Sequence, residues 1–103
     1  MIREPILVDA KPLRPGEELR VSLEPYRGQT YASARRWYRE GDLWKPGKGL
    51  SVRAGLLPWL VVTLQAAEAQ ALECGVLEEQ DYELAGRPIP REILDGLPLL
   101  RRG

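Results

Sequence analysis

Between Leu19 and Arg53 the chain alternates apolar and polar residues, and from Leu57 it abandons that pattern for another. Leu19, Val21 and Leu23 alternate with Arg20, Ser22 and Glu24, the two-residue period of a strand covered on one face. Pro25 to Gly28 reads as a turn, and Gln29 to Tyr38 resumes with β-compatible Thr, Tyr and Trp, which makes a hairpin. Gly41 and Asp42 break that run. Leu43 to Lys45 then reads as a short third strand and Lys45-Pro46-Gly47-Lys48-Gly49 as a tight basic turn. Leu50 to Arg53 is the fourth strand, and such short connections predict an antiparallel meander.

The second pattern is helical. Pro58 suits a first helical turn, where its missing N–H is not needed. Trp59 to Cys74 is rich in Ala, Leu, Gln and Glu, and Leu57, Leu60, Val61, Leu64, Ala67, Ala71 and Leu72 fall on one stripe. Gly75 is a candidate C-cap, with the acids beyond it able to extend the helix. The expected fold is therefore α+β: a four-stranded antiparallel sheet followed by one amphipathic helix. Residues 18–75 hold this domain. Residues 1–17, with Pro5, Pro12 and Pro15, read as an extended arm with one short strand at Ile6–Val8. Residues 76–103, with Pro88, Pro90 and Pro98 among glycines, read as an irregular C-terminal extension.

One helix covers only one face of a sheet. Either the second face is polar and functional, or another subunit covers it. Trp59 and Val62 lie off the helix stripe, so helix-to-helix dimerisation is the expected way to bury them.

Composition narrows the chemistry. With 103 residues there is room for one core. Histidine is absent, which removes the commonest general base and every Ser-His or Cys-His arrangement. Cys74 stands alone and reads as a small apolar filler. No paired-acid pattern is present, so the chain reads as a non-enzyme with no cofactor and no metal. The first ten residues do not read as a signal peptide and no apolar run could span a bilayer. The expected location is cytoplasmic, nucleoid-associated if the source is a prokaryote or its phage.

Charge is balanced at 15 basic and 15 acidic residues but unevenly placed. Residues 27–64 carry seven bases against two acids, and residues 65–85 carry six acids and no base. Within the basic stretch, Tyr26 to Arg53, aromatic and basic side chains interleave. Aromatic rings can stack on unpaired bases and Lys or Arg can hold phosphates, so a single strand is the natural ligand. Equally, Tyr31, Trp37 and Trp44 fit as core residues with the arginines as solvated surface.

From about Leu19 to Ala71 the sequence resembles the PC4 (transcriptional coactivator p15) single-stranded DNA-binding domain. The resemblance is carried by Val21-Ser22-Leu23 leading to Tyr26-Arg27-Gly28, by Arg35-Arg36-Trp37-Tyr38, by Lys45-Pro46-Gly47-Lys48-Gly49 and Leu50-Ser51-Val52, and by the helix near Leu57. It implies a homodimer built on sheets and helices, with single-stranded DNA in basic, aromatic-lined channels. By matching position, Tyr26 and Tyr38 would stack on bases. Arg27, Arg35, Lys45 and Lys48 would contact phosphates. Gln29 replaces a base usual after the turn glycine, and the Lys-Pro-Gly segment is one residue shorter. Arg36 stands where an acid is common and restores a charge. RNA stands as an alternative ligand, since these contacts do not read the 2′-OH. The resemblance implies work in transcription regulation, recombination or repair, with partner proteins met through the C-terminal extension. The rival reading is a protein-interaction module on the same fold with little nucleic-acid affinity.

On a regular strand Arg35 and Trp37 share one face, and Arg36 and Tyr38 the other. A bulge or a strand end near Trp37 would bring Arg35 and Tyr38 together. Otherwise Trp37 is the structural ring.

Overall fold

Three two-residue connections organise the sheet in the computed structural model, which describes residues 2–102. Pro15-Gly16 joins β1 (Ile6–Arg14) to β2 (Glu17–Tyr26), Arg27-Gly28 joins β2 to β3 (Gln29–Glu40), and Gly41-Asp42 joins β3 to β4 (Leu43–Arg53). Each strand pairs antiparallel with the next, in the order β1-β2-β3-β4. The Pro15-Gly16 turn has the chemistry of a tight reversal: proline fixes φ and Gly16 supplies φ +77°. Its carbonyl accepts the Arg39 N–H at 2.9 Å.

The four strands differ from the four expected. Residues 1–17 are not an arm beyond the sheet, because Ile6–Arg14 forms its first strand, pairing from Ile6↔Leu23 to Arg14↔Glu17. Pro12 is tolerated there because β1 is an edge, and extra residues at Val8 and Leu13 bulge it. The expected third and fourth strands are one continuous strand, β4. Lys45-Pro46-Gly47-Lys48-Gly49 is consequently not a turn. Pro46 pairs with Trp37 and Gly49 with Arg35, so two residues, Gly47 and Lys48, stand opposite the single Arg36. That is a bulge on the second edge strand, where a proline costs no ladder bond that is needed. Close approach explains the glycines. A Cβ on Gly49 would collide with the Cβ of Arg35, and one on Gly47 with the Tyr38 ring.

Cross-strand register sorts the sheet into two faces. Leu19, Val21, Leu23, Ala32, Ala34, Leu50 and Val52 lie on one, which is apolar. Tyr26, Tyr31, Arg20, Arg35 and three serines lie on the other. Little of this is buried: Ala32 and Tyr82 are the buried apolar residues among those described, while Val21 and Leu50 remain 40% and 53% exposed.

A 3-10 turn (Ala54–Leu56) leads into α1 (Leu57–Glu73), with Pro58 in its first turn. No residue of this 17-residue helix is buried, and Trp59, Val61, Val62 and Leu64 are all more than half exposed. Gly75 ends it at φ +71° with the Val76 N–H on the Ala71 carbonyl and the Gly75 N–H on Leu72, a Schellman closure. The acids beyond do not extend α1.

Contacts divide the chain into Met1–Trp59 and Leu60–Gly103, the boundary falling inside α1. The second unit is helical where an irregular extension was expected. α2 (Glu79–Ala85) opens on a reciprocal capping box between Glu78 and Asp81 and closes on Gly86 at φ +69°. α3 (Arg91–Arg102) begins just after Pro90, whose carbonyl accepts the Ile93 and Leu94 N–H groups. Gly86, Pro88 and Pro90 lie between α2 and α3 and mark helix ends, while Gly96 and Pro98 fall inside α3. Tyr82 of α2, 4% exposed, donates its hydroxyl hydrogen to the Glu68 carboxylate of α1. Arg87 Nη1 lies 3.1 and 3.0 Å from the two Glu68 oxygens. The Tyr82 and Arg87 hydrogen bonds hold the Glu68 carboxyl below its usual value of 4.5. The same bond to Glu68 pushes the Tyr82 phenol above 10.0.

Candidate nucleic-acid interface

The turn between β2 and β3 sets the first aromatic position. Arg27 and Gly28 both have positive φ, +49° and +77°, as a type I′ hairpin demands. A non-glycine residue pays roughly 1 kcal/mol for that conformation. It places the Arg27 guanidinium 5.3 Å from the centre of the Tyr26 ring. Tyr26 is 57% exposed and meets Tyr31 edge-to-face, with ring centres 6.1 Å apart.

Successive cross-strand rows continue the polar face from there. Glu24, Tyr31 and Arg53 form one row, Ser22, Ser33 and Ser51 the next, and Arg20, Arg35 and Gly49 a third. The serines are small and make a low floor between taller rows. Tyr26, Tyr31, Arg35 and Ser51 line an open cleft of about 360 Å³ there. Glu24 is its carboxylate, and it accepts the Ser33 hydroxyl at 3.1 Å. Arg35 brings a guanidinium whose buried Nε has no hydrogen-bond partner. Among the described residues, Arg27, Arg35, Arg53 and Lys48 make no ion pair.

The expected site residues do not converge on that cleft. Tyr26 and Arg35 line it, and Arg27 stands over the Tyr26 ring. Arg36, Tyr38 and Lys45 lie on the opposite face, where Tyr38 pairs with both Glu17 and Lys45. Arg36 is bound to Glu17 at 3.3 Å and Lys45 to Glu40 at 2.9 Å. Lys48 sits in the β4 bulge at the sheet edge. That bulge belongs to β4, while β3 keeps its unbroken alternation against β2, so it does not bring Arg35 and Tyr38 together.

Trp37 is half-buried on the polar face, with the Arg20 guanidinium 4.3 Å from its ring centre and 5.2 Å from that of Trp44. Arg20 is also paired with Glu18 at 2.6 Å. Sequence reasoning weighed Tyr31 only as a core ring and did not single out Arg53 for binding, although counting back by twos from Arg35 reaches Tyr31. Arg53 needed the β3–β4 register, which the false turn at Lys45–Gly49 concealed.

No protein-family model matches the chain, and no curated protein does. Among solved structures, the chain is similar to the crystal structure of a PC4 homolog from Burkholderia pseudomallei. The likeness has a TM-score of 0.57 at 23% identity and covers 66% of this chain and 95% of that one. The four-stranded antiparallel sheet followed by a helix is a PC4-like fold.

Proposed function

We propose that this protein is a non-enzymatic binder of single-stranded nucleic acid, DNA in the first instance, with little preference among bases. The observation that carries the reading is the Tyr26–Tyr31 pair flanked by Arg27, Arg35 and Arg53, cations without a carboxylate partner among the described residues. Exposed rings supply stacking, and unpaired guanidiniums supply phosphate contacts that release counterions. A flexible single strand can also round a sheet edge, which a duplex cannot. The path runs from the cleft past Lys48, in the edge bulge, to Tyr38, Arg36 and Lys45 on the far face. Transcription regulation, recombination or repair are the processes such binding would serve.

The working form is a homodimer. An α1 with apolar side chains on all sides and none of them buried needs a second helix, and a further copy of the chain supplies one. One observation favours the rival reading of a protein-interaction module: Arg36 and Lys45 are neutralised by Glu17 and Glu40. Titrating a labelled single-stranded oligonucleotide and a duplex of equal length at two salt concentrations separates the two. Tighter single-strand binding that weakens with salt supports the proposal. No binding to either moves the interaction module ahead, and equal binding reduces the effect to unspecific charge attraction.

A further inference from the structure

The strongest unassigned feature lies in the helical unit, Leu60–Gly103, and does not rest on the nucleic-acid reading. The end of α1, the Gly75–Glu78 connection, α2 and the first turns of α3 enclose an open groove of about 690 Å³. That is within the usual size of a site for a ligand or a few anchoring side chains. Half-buried Leu72, Leu77 and Ile93 form its floor. Glu79, Glu83 and Glu92 stand along its walls, and among the described residues no Lys or Arg lines it. None of those three carboxylates makes an ion pair among the described residues. Tyr82 and Arg87, which fasten α2 to Glu68, do not line this groove, so its walls are held from behind.

An apolar floor with walls of one sign specifies its occupant by charge complementarity. We propose that the groove binds a short amphipathic segment of a partner protein, with leucine-like side chains on one face and Lys or Arg on the other. The apolar side chains desolvate Leu72, Leu77 and Ile93. The cations meet Glu79, Glu83 and Glu92, which set orientation and encounter rate more than depth of binding.

The test uses the full chain and three labelled peptides of about twelve residues at helical spacing. One combines Leu and Lys, one Leu and Glu, and one Ser and Lys. Only the Leu/Lys peptide is expected to bind, shifting the amide resonances of Leu72, Leu77 and Ile93. The Glu83→Gln, Glu92→Gln double variant alters exposed positions and should weaken it about tenfold. Ile93→Ala should weaken it too, with circular dichroism confirming an intact fold. Single-strand binding by the same variants should be unchanged, which keeps this proposal separable from the one above. Equal binding of the Ser/Lys peptide would reduce the groove to an acidic surface. Shifts confined to Trp59–Val62, or variants that alter the oligomeric state, would assign the binding to α1 or the groove to a second copy, and either overturns the proposal.

Discussion

The Arg20 guanidinium stands 4.3 Å from the centre of the Trp37 ring, across the β2–β3 pair. Glu18, the cross-strand partner of Trp37, also pairs with Arg20 at 2.6 Å, so Arg20 is spent on structure. Trp37→Ala should therefore act on stability, lowering it by about 2 kcal/mol through lost apolar contact and the lost cation–π pair. Thermal unfolding reads the loss directly, and Trp37→Phe should recover most of it. Affinity for single strands, compared below the melting transition, should change little. A large loss of affinity at full stability would make Trp37 a stacking ring.

The cleft and the far face should respond differently to ligand length. Tyr26 and Tyr38 are about 30 Å apart along the β3 ladder at the usual strand rise. Tyr26→Ala or Tyr31→Ala should cost about 1–3 kcal/mol with oligonucleotides of any length and leave the salt slope nearly unchanged. Arg35→Ala should weaken binding and flatten the slope. Tyr38→Ala should matter only for strands long enough to pass Lys48 at the edge. If Tyr38→Ala weakens the shortest strand as much as the longest, the path does not begin in the Tyr26–Tyr31 cleft.

These contrasts come from register, the part of the structure least legible in the sequence. Alternation from Leu19 to Leu23 and from Gln29 to Tyr38 is sufficient to place β2 and β3, since each covers an apolar face. Helix α1 and its Gly75 cap were equally plain, because helix formers and a terminal glycine agree, but its apolar side chains lie on all sides and not on the single stripe expected of an amphipathic helix. Gly47 and Gly49 misled because a glycine needed for a turn and one needed for close approach look alike as letters. Only the pairing of Arg35 with Gly49 shows which applies. The prolines of β1 misled similarly: Pro12 forbids a central strand but not an edge. Of the residues named by matching position to the PC4 resemblance, Tyr26 and Arg35 line one cleft and Arg27 stands over the Tyr26 ring. Their separation from Arg36, Tyr38 and Lys45 was implicit in strand parity, and the β4 bulge left it standing.

The exposure of α1 predicts the oligomeric state. Trp59 and Val62 are 63% and 64% exposed, on a helix whose other sides are also apolar. Sedimentation should give a dimer at micromolar concentration. Trp59→Glu together with Val62→Glu should shift it to monomer, because a buried unpaired carboxylate costs several kcal/mol. A wild-type monomer near 11.6 kDa would remove the dimer from the proposal.

The Glu68–Tyr82–Arg87 contact predicts a pH window for the helical unit. Glu68 has its carboxyl lowered in the folded chain, chiefly by the Tyr82 hydrogen bond and then by Arg87. Its contribution is complete above the ordinary glutamate value of 4.5 and is lost as pH falls through the lower folded value. Tyr82 is raised, chiefly by its bond to Glu68, so its contribution is complete below 10.0 and is lost as pH rises through the higher folded value. Between these limits the fastening of α2 to α1 should be insensitive to pH. Melting temperatures of the parent and of Glu68→Gln, followed from neutral pH into acid, check the lower limit. The parent should lose stability more steeply below 4.5, while Glu68→Gln, less stable at neutrality, should have a flatter acid limb. Phenolate absorbance checks the upper limit: one tyrosine should titrate late in the parent, and Tyr82→Phe should remove that late component. Identical acid limbs for parent and Glu68→Gln would mean that Glu68 carries no such linkage and that α2 is held by apolar contact alone.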